Sequence, residues 1–229
     1  MNADLVSQAL LCDTKDNLYH ALGGRDGCHQ LTVAFYAHVE HDPVLRPLYP
    51  RVLSGCPTKA LAAFLTQFLG GPCDYSERRW GLSLCEAHLR FRIGQKEREA
   101  WLHDMWQAID EMPIEEPTRS ALRWFFVQSS AALINQPPGT VNVSLGSSDP
   151  LLEDQHGRDT SPLHQDIARR WEAHLTLEQL IAAVRQGEAE QALTLLEHPL
   201  VQAVFIRDRA AFLSLLALFS GSQQETLLE

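Results

Sequence analysis

The sequence predicts an all-α protein, on three observations. Apolar side chains recur at three- and four-residue spacing through successive segments, the period of one face of a helix. No part of the first 136 residues shows the strict alternation of a half-buried strand. Glycines and prolines fall between the periodic segments and punctuate them.

Taken in order, NLYHALGG (17–24) is a short helical turn stopped by paired glycines. Cys28, Leu31, Thr32, Phe35, Tyr36 and Val39 then mark one helical face, and Asp42-Pro43 closes the run. PVLRPLYP is too rich in proline for a long helix and suits a tight corner carrying Leu48 and Tyr49. Pro57 occupies the first turn of the next helix, where a missing N–H costs nothing. Leu61, Phe64, Leu65 and Phe68 form its buried stripe, and Gly70-Gly71-Pro72 breaks it after about three turns. Residues 73–81 read as a polar loop, followed by LCEAHLRFRIG (84–94) with His88 at its centre. A helix over 96–112 turns Trp101, Leu102, Met105, Ala108 and Ile109 inward. Beyond Pro113 and Pro117, a last core helix carries Leu122, Phe125, Phe126, Ser129 and Leu133.

The character then changes. Pro, Gly, Ser and Asp dominate residues 137–162 without helical period, the composition of a mobile linker. Helical signal returns from Leu163. Thr176 with Gln179 has the form of a capping box and predicts a helix start, and Gly187 predicts its end. A second helix is expected over 188–197, ending at His198-Pro199. A third is expected from Asp208 through Phe219, apolar on most sides and in need of a packing partner. The expected division is therefore an extension over 1–16, a first domain over 17–136, the linker over 137–162 and a small helical module over 163–229.

Composition narrows the function classes. Net charge is −10, with thirteen basic against sixteen acidic residues over 1–139 and six against thirteen over 140–229. So acidic a surface disfavours nucleic acid and anionic lipid as partners. No apolar run approaches the ~20 residues of a membrane span, and the start lacks the basic n-region of a secretion signal; the cytoplasm is the expected compartment. Five cysteines (Cys12, Cys28, Cys56, Cys73, Cys85), an odd number, favour free thiols over a disulfide framework.

Ten histidines compete for a ligand role. His38 and His41 flank Glu40 on one amphipathic helix, a pattern that a solvated face explains without a metal. Cys85-x-x-His88 has no second ligand pair, which argues against structural zinc. His88 is distinguished by its company. In chain order stand AFYAHV, LRPLYP, FLTQFLGGP, YSERR, HLRFRI and AWL. This series resembles the truncated haemoglobins of the second group, the short two-on-two globins, over roughly residues 17–136.

The resemblance implies a truncated (2-on-2) globin fold followed by the helical module, with haem b held non-covalently, since no C-x-x-C-H is present. His88 matches the proximal iron ligand, its Nδ1–H directed at a carbonyl one turn earlier near Leu84. Tyr36, Tyr49 and Trp101 match the distal donors; a plain aromatic core residue is the lesser alternative for each, and weighs most for Tyr49. Pro57 and Leu61 stand where other globins place a distal histidine or glutamine, and neither donates a hydrogen bond. Phe64, Phe91 and Ile93 match haem-packing positions. Tyr75 and Arg79 match a propionate-facing motif, and solvated loop residues describe them equally well. The chain departs from the family between YSERR and His88, where WGLSLCEA replaces a G-H-P and arginine-rich run. Ser83 and Glu86 take places of positive charge, and Arg90 offers a substitute cation.

The implied function is reversible binding of dioxygen, and of carbon monoxide and nitric oxide. The roles this opens run from oxygen carriage or transport to nitric-oxide dioxygenase or peroxidase-like chemistry, with a reductase as partner. A different class stands beside it: a haem-based gas or redox sensor whose C-terminal module binds a protein partner.

Overall fold

In the computed structural model, residues 17–53, 55–73, 75–76, 83–136 and 161–208 are described, and none of them is in a strand. Nine α-helices follow one another among them. The first six are α1 (Leu18–Ala21), α2 (Gly24–Val39), α3 (Cys56–Phe68), α4 (Leu84–His88), α5 (Gln95–Asp110) and α6 (Glu116–Ala131). After them come α7 (Pro162–Gln186), α8 (Ala189–Leu196) and α9 (Pro199–Arg207). The boundaries have local causes. Asn17 accepts from His20 N at 2.9 Å and starts α1. Asp42 Oδ1 accepts from the Val44 and Leu45 amides, both at 2.7 Å, and turns the chain into the corner. A 3-10 turn over Arg46–Leu48 delivers Tyr49. Pro57 and Pro117 sit in the first turns of α3 and α6.

The first half is built from two helix pairs. Helix α2 packs against α3 and α5, and α5 packs against α6. Their shared core contains Leu31, Phe35, Leu65, Leu102, Met105, Leu122, Phe125 and Phe126, none more than 2% exposed. Glycine is required at 70. Its φ of 113° is left-handed, and a Cβ there would stand 2.6 Å from the Asn17 side chain, whose Nδ2 donates to the Gly70 carbonyl at 3.2 Å.

The C-terminal helices do not stand apart from this core. Helix α7 lies along α6. Its Ile167 and Trp171, 0% and 6% exposed, belong to the same apolar cluster as the globin helices. Trp171 lies 6.1 Å, ring centre to ring centre, from both Phe68 and Phe125. Farther along, the same helix turns Leu177, Leu180, Ile181 and Val184 toward α8 and α9, forming a second cluster with Ala192 and Val201. One continuous helix thus serves two cores.

This corrects the expected start at Thr176. The helix begins at Pro162, capped by Ser161, and runs unbroken for 25 residues. Thr176 lies inside it and donates to the Glu172 carbonyl at 2.9 Å rather than capping anything. The expectation failed because Thr176 and Gln179 have the spelling of a capping box while lying inside a helix whose buried face changes partner there. The expected stop at Gly187 is present, with φ 75°. Helix α9 was not expected. The helix expected over 208–219, the extension 1–16 and most of the linker lie outside the described residues.

Candidate functional site

A cavity of about 390 Å³ opens between the two helix pairs, within the range of small-molecule pockets. Tyr36 enters it from α2, Tyr49 from the corner, Pro57, Leu61 and Phe64 from α3, and Trp101 from α5. The opposite wall carries Leu84, Ala87, His88, Phe91 and Ile93, and the base is closed by Phe125 and Phe126 of α6 with Leu133 just beyond its end. Tyr75 and Arg90 also line it. Of the residues that the resemblance assigns to a haem pocket, Arg79 lies outside the described residues and the others line this one cavity.

Helix α4 presents His88, half-buried, after only five residues. His88 Nδ1 lies 2.7 Å from the Leu84 carbonyl oxygen. A carbonyl only accepts, so Nδ1 carries the proton and Nε2 keeps its lone pair. Burial holds the ring below its usual pKa, against the Leu84 bond and with help from the Arg90 charge; the neutral imidazole is favoured. Arg90 itself rests 4.7 Å over the Phe91 ring.

The strand of chain after His88 is fastened by Asn135. Its Nδ2 donates to the Phe91 carbonyl at 2.8 Å and the His88 carbonyl at 3.3 Å, and its Oδ1 accepts from Ile93 N at 3.0 Å. At the other end of α4, Glu178 of α7 accepts from Ser83 Oγ, Leu84 N and Cys85 N at 2.5, 2.6 and 3.2 Å. Neither Asn135 nor Glu178 has a local signature in the sequence, because each acts across a long stretch of chain.

Across the cavity the aromatic residues interlock. Tyr36 and Tyr49 meet edge to face at 5.6 Å, and Phe35 separates Tyr36 from Trp101 with ring distances of 5.1 and 5.2 Å. Burial, reinforced by Tyr49, pushes the Tyr36 hydroxyl far above its usual pKa. Burial likewise pushes Tyr49 up to about 12, against a hydrogen bond from Trp101 and with the Asp104 charge adding to the rise. Both phenols remain O–H donors at any physiological pH. Asp104 was not anticipated. It is 3% exposed, its Oδ2 has no hydrogen-bond partner among the described residues, and burial raises its pKa.

Gln67, inside the FLTQFLGGP run, receives the Tyr75 and Ser76 amides on Oε1, both at 3.0 Å. Its Nε2 donates to Asp208 at 2.8 Å, so the Tyr75 segment is also tied to the end of α9. His38 and His41 do not face the cavity: His38 Nε2 meets Glu111 at 2.7 Å and His41 Nδ1 meets the Ala37 carbonyl at 3.0 Å. Cys85 directs its Sγ to the Ala132 carbonyl at 3.6 Å.

Chemically, the cavity offers one neutral imidazole nitrogen on one side, two phenol O–H donors on the other with the indole N–H of Trp101, here received by Tyr49, and apolar walls between. That donor set fits a flat iron-bearing macrocycle with room for a small polar ligand.

Comparison with known proteins agrees. The bacterial-like globin family model matches residues 17–133. The group 2 truncated haemoglobin YjbI of Bacillus subtilis is 34% identical over 118 residues, 52% of this chain and 88% of that protein. The group II truncated haemoglobin of Bacillus anthracis superposes with a TM-score of 0.53 at 31% identity, covering 56% of this chain and 97% of that one. The thermostable haemoglobin of Thermobifida fusca gives 0.51 at 38%, covering 53% and 98%. The matched share of this chain is that of a globin domain alone, about half its length.

Proposed function

We propose that this chain, which belongs to the bacterial-like globin family and groups with its group 2 truncated haemoglobins, is a haem b protein that binds dioxygen reversibly. Haem-based binding of diatomic gases follows from the family; the ligand, the residues and the mode of holding are our reading. The observation that carries it is the neutral His88 ring, Nδ1 engaged and Nε2 free, facing Tyr36, Tyr49 and Trp101 across one cavity.

Haem bound here would supply an iron able to take up diatomic gases. His88 Nε2 would hold that iron, and the Leu84 carbonyl fixes the ring's tautomer and would strengthen it as a ligand. Phe64, Phe91 and Ile93 pack against the macrocycle, while Tyr75, Arg79 and Arg90 serve its propionates. The holding is non-covalent, as no C-x-x-C-H is present. Tyr36 and Trp101 donate to a ligand that draws negative charge onto its outer atom, with Tyr49 in reserve. Pro57 and Leu61 contribute only apolar wall. Carbon monoxide and nitric oxide enter the same space, and a reductase keeps the iron ferrous. Whether the cell uses this for carriage or for nitric-oxide or peroxidase-like chemistry depends on that partner. The test is an ultraviolet–visible spectrum of the purified chain in ferric, ferrous and carbon monoxide forms. A Soret band that shifts between them is expected; a chain that takes up no haem would overturn the reading.

One observation favours a second reading, a haem-based sensor whose C-terminal module binds a partner. Helix α7 bonds directly to the segment carrying His88. Amide exchange in α8 and α9, compared under argon and under carbon monoxide, separates the two. A sensor changes exchange there, and a carrier does not.

A further inference from the structure

Helix α4 has five residues, and Ser83 Oγ caps it by accepting from Glu86 N at 2.9 Å. Helix α7 holds both that cap and the amides behind it. Glu178 spans the start of α4 with both oxygens: Oε2 takes the Ser83 hydroxyl, and Oε1 takes the Leu84 and Cys85 amides. These amides have no partner inside so short a helix. Behind the carboxylate, His174 Nε2 stands 3.2 Å from Oε1. His174 is itself stacked on Trp171 at 5.3 Å and set edge-on to Phe68 at 5.4 Å. A second tie joins the same two helices, Arg185 Nη2 to Glu86 Oε2 at 2.9 Å. Leu84, whose amide Glu178 receives, is also the residue whose carbonyl accepts from His88 Nδ1. One residue therefore links the α7 carboxylate to the imidazole.

We propose that Glu178 is a positioning residue for the iron's proximal ligand, so that the appended helix sets how firmly His88 is held. The proposal rests on the reading of His88 given above. A carboxylate that takes three donors at the start of α4 fixes where the Leu84 carbonyl points, and that carbonyl fixes the plane and tautomer of the His88 ring. Removing it leaves two amides and a hydroxyl without their acceptor, leaves the first turn of α4 on the Ser83 cap alone, and lets the ring rotate. Hydrogen bonds to a charged partner are the strong ones, so this contact is the main line of communication between module and ring.

The test uses the full haem-loaded chain. Glu178→Ala is compared with the parent, with Glu178→Gln, which keeps an acceptor oxygen, and with Glu172→Gln on the exposed face of the same helix. Three readouts are taken: the histidine–iron stretching band of the ferrous form, haem transfer to a scavenging apomyoglobin, and amide exchange of Leu84 and Cys85 in the apoprotein. Expected are a shifted band and haem transfer about ten-fold faster in Glu178→Ala, the equivalent of one charge-assisted hydrogen bond. Glu178→Gln should fall between it and the parent, Glu172→Gln should match the parent, and Leu84 and Cys85 should exchange faster in Glu178→Ala. A parent band that does not move in Glu178→Ala or Glu178→Gln overturns the proposal alone. A parent with no histidine–iron band overturns the assignment of His88, and the proposal with it. Should Glu178→Ala not fold, Glu178→Gln against Glu172→Gln decides by the same band.

Discussion

The two faces of the cavity are held by different parts of the chain. The distal face comes from α2, the corner, α3 and α5, and its aromatic rings brace one another within the span that matches the globin family. The proximal face is a five-residue helix and a short extended stretch, fastened from outside by Asn135 and by Glu178 of α7. Ligand chemistry and ligand support are thus separable: changes on the first face alter how a bound gas is treated, and changes behind the second alter how the iron is kept.

The largest expected effect is on the kept iron. His88→Ala should abolish normal haem retention, and an unchanged ferrous spectrum in that variant would remove His88 as the ligand. Next is the bond between regions. Trp171→Ala empties a site shared by α3, α6 and α7 and should cost about 3–5 kcal/mol. For a chain of this size that lowers the Tm of the apoprotein by roughly 10 °C. Leu193→Ala, at a position 48% exposed, should change stability by less than about 0.5 kcal/mol. Two separate melting transitions, only one of them sensitive to Trp171, would show that the module and the globin half do not share a core.

On the distal face the effects are smaller and appear in rates. A hydrogen bond to a strongly polarised acceptor contributes about 1.5–3 kcal/mol, roughly 10- to 150-fold in an equilibrium constant. Tyr36→Phe and Trp101→Phe should each speed dioxygen release within that range, and affect carbon monoxide less. The double variant should show less than the combined effect, because Tyr36, Tyr49 and Trp101 contact one another's environment. Stopped-flow displacement of dioxygen by carbon monoxide measures this; unchanged release in all three variants would dismiss the distal assignment.

The smallest effect concerns Asp104. Its pKa is raised, so the folded state holds its proton more tightly than the unfolded chain does. Stability therefore falls as pH climbs from the ordinary carboxylate range through the folded pKa, and stays lower above it. Asp104→Asn should gain about 1 kcal/mol at neutral pH, and the gain should vanish in acid below about pH 3.8. Chemical denaturation at both pH values checks the sign. An equal gain at both would mean that packing, not charge, is responsible.

The contrast between faces also explains what could be read from residues alone. Apolar spacing placed α2, α3, α5 and α6 closely, because each buries one stripe at a helical period, as Leu31, Phe35 and Val39 do in α2. The cavity-lining roles of Tyr36, Tyr49, His88, Trp101, Phe91 and Ile93 came instead from the resemblance to truncated haemoglobins. Asn135 and Glu178 were not: each is an ordinary polar residue until tertiary structure brings it to α4. The oddities at Ser83 and Glu86 were visible as departures from the family, but their partners, Glu178 and Arg185, lie outside the globin span. Helix α7 misled because its buried face rotates from Ile167 and Trp171 toward the globin half to Leu177 and Leu180 toward α8 and α9. No single stripe persists along it, and the local chemistry of Thr176 stood out instead.

The reach of these fastenings bears on how the protein is made. The bonds from Asn135 and Glu178 to the His88 segment span 44 and 94 residues, counted from Phe91 and Leu84. A chain emerging from the ribosome exposes Tyr36 and Tyr49 early, and has Trp101 soon after His88. Asn135 then reaches the far end of α4, but the Leu84 and Cys85 amides have no acceptor until residue 178 follows. At about 5–20 residues per second that interval is roughly 5–20 s. During it, the histidine side of the pocket is fastened at one end only, and the last wall to close is the one completed by α7.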